Sequence, residues 1–171
     1  MKLNPNQLNA LIRARRSTFV KQFIEGQKIP DDIIWQILEN ANRAPNHGQT
    51  EPWRFTIFTG VGLQKLADFQ SVLYKEEAGN NFKVETYQKL LSVPLKCSHI
   101  ISLGMKKSEG RIPEVEEIEA VACAVQNIYL SITAYELGGY WTTGGITYFE
   151  SAKEFFGLGL ADRLLGFCYI A

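Results

Sequence analysis

The chain has 171 residues, 46% of them hydrophobic, with 18 basic and 18 acidic side chains and a sequence pI of about 6.7. This size and composition predict one domain over residues 1–171 with a proper core. The neutral balance argues against nucleic acid or an anionic membrane as the main partner. Three cysteines, Cys97, Cys123 and Cys168, show neither CxxC nor Cys/His ligand spacing, so no disulfide framework or metal site is indicated. Each lies in an apolar run and reads as a buried, inert thiol. The N-terminus MKLNPNQLNA lacks the apolar core of a signal peptide, and no run approaches the roughly 20 apolar residues of a membrane span. A soluble, cytoplasmic protein is the expectation.

In chain order, Leu8, Leu11 and Ile12 predict a short amphipathic helix running into an arginine cluster. Pro30 and Asp31 start a second helix, with Ile33, Ile34, Ile37, Leu38 and Ala41 on its apolar face, which stops before Pro45. WRFTIFTG reads as a strand closed by Gly60. Residues 62 to about 92 give one or two helices with a polar break at Gly79–Asn81, and the charged stretch Val72 to Phe82 suggests a mobile flap gating an acceptor. CSHIISLGM is a second strand, and KKSEGRIPEVEE a solvated loop leading to a helix over roughly Glu114 to Leu137. That helix is apolar nearly all round from Ala120 to Tyr135, which predicts burial on every side and a partner subunit. GGYWTTGG makes a short strand and turn, Glu150 to Phe156 a short helix, and LLGFCYIA a last strand. Helices and strands do not alternate strictly, so the fold class is α+β: a central, mostly antiparallel sheet flanked by helices.

Three polar constellations break the apolar pattern. Arg15, Arg16 and Ser17 stand at a helix end; fork-like guanidinium donors beside a hydroxyl suit a phosphate, although a solvated basic helix end is the commoner outcome. RAPNHGQTEPWRF crowds Asn46, His47, Gln49, Thr50 and Glu51 between two prolines, where a plain turn would have sufficed. Its amide, imidazole and carboxylate groups match the edge of a polar heterocycle, and Trp53 reads as its core anchor. In Trp141, Thr142, Thr143, Gly144 and Gly145, glycines let the backbone approach a flat ligand, with N–H groups free for an anionic centre.

With RRS, RAPNHGQTEPWRF and GGYWTTGG followed by LLGFCYIA, the sequence resembles the FMN-dependent nitroreductase family, and most closely its small single-domain members. Where that family's loop commonly carries serine, asparagine and glutamine, this chain has Asn46, Gln49 and Glu51. The resemblance implies a homodimer with FMN at the interface and the long helix at the dimer centre. It assigns Arg15, Arg16 and Ser17 to the phosphate and ribityl chain. Asn46, His47 and Gln49, with Arg43 as a further candidate, would approach the flavin from the other protomer. Trp141, Thr142, Thr143, Gly144 and Gly145 would lie along the ring. Glu51 caps a backbone amide or pairs with Arg54. Family chains usually continue past the last strand as an arm around the partner; this one ends at Ala171, so the arm is expected to be absent or trimmed.

The implied function is an NADH- or NADPH-dependent oxidoreductase. It would reduce a small nitroaromatic, quinone or enone acceptor by a ping-pong mechanism on flavin N5, with no protein nucleophile and no metal. No GxGxxG follows a strand, so no separate dinucleotide-binding domain is expected. The rival is a non-catalytic flavin-binding or degenerate dimeric module, which Glu51 and the early end of the chain favour.

Overall fold

The computed structural model describes residues 4–110 and 112–171. Met1–Leu3 and Arg111, the latter inside the loop expected after Met105, lie outside them. The order is α1 (Pro5–Ala14), α2 (Asp31–Ala41), β1 (Trp53–Thr59), α3 (Val61–Glu77), α4 (Val84–Ser92), β2 (His99–Met105), α5 (Glu114–Ala134), β3 (Gly139–Thr142) and β4 (Arg163–Ile170). The strands form one sheet in the order β1-β2-β4-β3, and every neighbouring pair is antiparallel. The fold is α+β, as the irregular run of helices and strands implied.

Strand alternation sends side chains to opposite faces of this sheet. Ile101, Leu103, Met105, Cys168 and Ile170 face one way and pack with α2 and α5. Ile100, Phe167 and Tyr169 face the other way and pack with α3, Leu90 of α4 and the 3-10 turn Glu150–Phe156. β2 is buried along its whole length because both faces and both edges are covered. Trp53 anchors the start of β1: it is 6% exposed, and its Nε1 donates to Asn42 Oδ1, just past the end of α2, at 2.7 Å. The polar loop is thereby pinned at both of its ends.

Within one protomer α5 is buried on its inner side only, and the burial expected on its outer side falls to the expected partner subunit. Ala120, Val121, Ala124, Val125, Ile128 and Ile132 face the core, whereas Val115, Glu119, Ala122, Cys123 and Gln126 line an exposed strip. Cys123 is therefore exposed rather than buried; only Cys97 and Cys168 are buried, and burial pushes both of their thiols up to about 12. α1 buries none of its residues and leaves Leu8 and Ile12 about half exposed. The stretch Val72 to Phe82, expected as a flap, is mostly exposed, Val72 and Phe82 included, and is tied down at a few points. Leu73, Tyr74 and Ala78 are buried, and the Tyr74 hydroxyl donates to Asn81 O and accepts from Lys83 N–H.

The first turn of α5 holds three segments through three glutamates. Glu114 takes Arg163 of β4 at 2.7 Å, Glu116 takes His47 at 2.6 Å, and Glu117 takes Lys107 Nζ at 3.1 Å and the Ser108 N–H at 3.1 Å. Carboxylates are favoured there by the positive end of the helix dipole. Glu117 is 1% exposed. Burial pushes its carboxyl up, but hydrogen bonds from Ser108 and Lys107 outweigh that and hold it below the ordinary glutamate value.

A depressed folded-state pKa stabilises above the unfolded value, and that stability is lost as pH falls through the folded one. The melting midpoint is thus expected to begin falling from the ordinary glutamate value of about 4.3 downward. Glu117→Gln should be less stable than wild type at pH 7, with a gap that narrows on acidification. Scanning calorimetry from pH 7 to pH 3 on both proteins reads this; a gap independent of pH would contradict it.

Candidate functional site

Two of the three polar constellations meet in one protomer. α1 ends at Ala14, and the Arg15 N–H still donates to Leu11 O at 3.1 Å. The chain then runs along the outer edge of β3, where the Thr18 N–H donates to Gly139 O at 2.9 Å. Arg15 and Ser17 thereby line an open cavity of about 440 Å³ with Ala122, Val125, Gln126, Tyr129, Trp141 and Thr143. The Arg15 guanidinium lies over the Tyr129 ring, 5.2 Å from its centroid, within the range of a cation–π contact. Arg16 turns away from this wall: its Nη1 donates to Arg13 O at 2.6 Å and Arg15 O at 2.8 Å, offsetting the negative helix end. Among the described residues no carboxylate pairs with Arg13, Arg15 or Arg16.

The Trp141–Gly145 segment is shaped by its neighbours in the sheet. Trp141 Nε1 donates to Leu165 O at 3.0 Å, and its own N–H goes to the Tyr129 hydroxyl at 2.7 Å. Thr142 Oγ1 accepts from the Gly144 N–H at 3.4 Å, a long contact that leaves this amide weakly held. Thr143 and Gly144 are exposed. Gly145 has φ +67°, and a Cβ there would lie 2.8 Å from Leu90 of α4. Opposite this segment, Gly166 has φ +114°, and a Cβ would fall 2.2 Å from Thr142 O.

The third constellation lies elsewhere. His47 Nδ1 is 2.6 Å from Glu116 Oε2 at the start of α5, whereas Tyr129 is thirteen residues further along. At 1.5 Å per residue the two are roughly 20 Å apart. Asn46 does not reach out: its Oδ1 accepts from the Glu51 N–H at 3.0 Å, and its amide faces Ala44 O at 3.5 Å. Gln49 is exposed, with φ +54°. Glu51 neither caps an amide with its carboxylate nor pairs with Arg54; it is its main-chain carbonyl that accepts from Arg54 Nη1, at 2.9 Å. Arg43 lines a separate cavity of about 480 Å³ with Trp35, Leu38, Glu39, Asn42, Phe55 and Ile57. A further cavity of about 320 Å³ at the far end of the sheet, by Ser98 and His99, joins none of the three constellations.

Sequence reasoning missed Tyr129 and Gln126 in the cavity wall and Glu116 beside the loop. A hydroxylated ring and the pair Gln126-Asn127, both interrupting an apolar helix, were the available signals. No group of His, Cys, Asp and Glu able to hold a metal is found among the described residues. Nor is any helix among them long and apolar enough to cross a membrane.

The pattern shared by the Nitroreductase family matches residues 12–171. The Escherichia coli (strain K12) protein named "Putative NAD(P)H nitroreductase YdjA" is 28% identical over 138 residues, which cover 80% of this chain and 74% of that protein. A crystal structure of a nitroreductase-like family protein from Bacillus cereus superposes with a TM-score of 0.81 at 26% identity, covering 100% of this chain and 87% of that one. The FMN-dependent nitroreductase NfnB from Mycobacterium smegmatis, solved in complex with NADPH, shares the fold at 15% identity, with a TM-score of 0.75 over 98% of this chain and 88% of its own.

Gly166→Ala tests how tightly the sheet shapes the Trp141–Gly145 segment. With a main-chain oxygen in the way and a φ unsuited to alanine, the cost should be about 3 kcal/mol. That is a drop of roughly 6–12 °C in melting midpoint for a chain of this size. A midpoint within 2 °C of wild type, on the order of 0.5–1 kcal/mol, would mean that the segment shifts freely.

Proposed function

This chain belongs to the nitroreductase family, and from that premise we propose that it is an FMN-dependent oxidoreductase. It takes hydride from NADH or NADPH and reduces a small acceptor of nitroaromatic, quinone or enone type. The observation that carries the reading is the cavity at Tyr129, where the Arg15 guanidinium, without a carboxylate partner, and the Ser17 hydroxyl stand at one side and the loop that runs from Trp141 into Gly144 and Gly145 at the other. That donor set fits FMN: a phosphate needs cations without carboxylate partners, and a flat ring needs a backbone that it can approach. Bound there, FMN would supply the redox chemistry, exchanging hydride with donor and acceptor at its N5.

The protein's own residues bind, orient and polarise. Arg15 and Ser17 would hold the phosphate and ribityl chain, with Arg15 kept in place by the Tyr129 ring, while Arg16, turned away from the cavity wall, offsets the negative end of α1. Trp141, Thr142, Thr143, Gly144 and Gly145 would lie along the ring, where main-chain N–H groups would offset negative charge. Donor and acceptor use the same open face in turn, which is a ping-pong order.

Asn46, His47 and Gln49, with Arg43 beyond them, serve a second copy's cavity. Their distance of roughly 20 Å along α5 from their own protomer's Tyr129 supports this. The exposed apolar groups of α1 and α5 (Leu8, Ile12, Val115, Ala122 and Cys123) form the face on which two copies would meet, in a two-fold arrangement.

The first test is an anaerobic visible spectrum of the purified protein before and after adding NADH or NADPH. A flavin band that bleaches is expected. A band that persists leaves a flavin binder without this donor, and no band even after FMN is supplied removes the assignment. The dimer is tested by Cys123→Arg, which puts a charge on the outward strip of α5. Sedimentation should show the assembly falling from two chains to one with loss of bound flavin; a variant that stays dimeric and yellow would place the interface elsewhere.

A further inference from the structure

The hydroxyl of Tyr129 lies where the arginine segment and the Trp141–Gly145 loop come together. β3 is an edge strand, so its outward main-chain groups need partners from outside the sheet. Thr18 supplies one by donating to Gly139 O at 2.9 Å. Two residues on, the Trp141 N–H donates to the Tyr129 hydroxyl at 2.7 Å. Ser17 Oγ lies 3.5 Å from the same hydroxyl, and Arg15 lies over the same ring. Tyr129 is 7% exposed, and Thr133 Oγ1 donates to its main-chain carbonyl at 2.8 Å. One phenol on the central helix therefore touches Arg15, Ser17 and Trp141 together.

We propose that Tyr129 is a positioning residue of the flavin site: it fixes the spacing between the segment that receives the phosphate and the loop that receives the ring. The proposal rests on the FMN reading. A ligand that spans both ends gains from a spacing set in advance, because ordering that would otherwise accompany binding has already been done in folding. A ligand that engages only the ring end gains much less. The hydroxyl therefore discriminates between a flavin with a phosphate and one without it.

The test is Tyr129→Phe, which keeps the ring beneath Arg15 and removes the bridge. Dissociation constants of the apo-protein for FMN and for riboflavin are measured by quenching of flavin fluorescence, alongside the melting midpoint. FMN affinity should fall about tenfold, the effect of one ordinary hydrogen bond. Riboflavin affinity should fall less than about threefold, because the ring end keeps its remaining contacts. Thr133→Ala serves as the comparison; it loosens the same turn of α5 with the hydroxyl intact, and should lower the midpoint without changing the ratio of the two constants. Unchanged FMN affinity in Tyr129→Phe, or an equal loss for both flavins, overturns the proposal and leaves the FMN assignment standing. A wild-type protein that takes up neither flavin sinks both.

Discussion

The structure depends on α5 being rigid and on what is fastened to its two ends. Its inward face carries small and β-branched side chains that let it lie close against α2 and the sheet. The first turn fixes three separate stretches of chain through Glu114, Glu116 and Glu117, each carboxylate with its own partner. Thirteen residues later Tyr129 fixes two more, the segment after α1 and the edge of β3. Neither the polar loop nor the arginine segment has a core of its own. The loop is held to this helix by a hydrogen bond, and the arginine segment by the stacking of Arg15 on Tyr129 together with the Thr18 bond to β3.

The loop packing follows from this. Lys107 reaches from Glu117 to the carbonyl of Ile112, and the Ile112 side chain lies against Gly48, where an added Cβ would approach to 3.0 Å. The loop containing His47 is thus held from one side by a hydrogen bond with Glu116 and from another by an apolar contact. Trp53 and Asn42 close its base. Five polar residues within the six from Asn46 to Glu51 keep a defined shape because the surroundings restrict the main chain, including Gln49 and Glu51 at positive φ.

Much of this was legible in the sequence, for identifiable reasons. β1, β2 and β4 are runs of aromatic and branched residues with clear ends, and α2 opens with Pro30-Asp31, so local chemistry and tertiary packing agree there. The α+β class was readable too, and the resemblance implied a shared site for Arg15, Ser17, Trp141 and Thr143. What the pattern did not give was which side of a helix is covered within the protomer. Cys123 sits among apolar residues yet points away from the core, and periodicity does not distinguish a core face from an unpartnered one. Tyr129 looked like one more apolar position because its hydroxyl matters only through partners 112 and 12 residues away.

Arg16 carries a different consequence. Many anion sites use the N-terminal end of a helix, where main-chain amides supply the charge. Here the arginines stand at the opposite end of α1, whose carbonyls repel anions, and Arg16 offsets that end by bonding two of them. Under the proposed assignment, the anion receiver consists of side chains alone. It is open to mutation in a manner that an amide cradle is not: neutral replacements here would restore a helix end that turns phosphate away. Over evolutionary time such a chain could abandon its ligand in a step or two and keep its fold, since α1 buries nothing that the core requires.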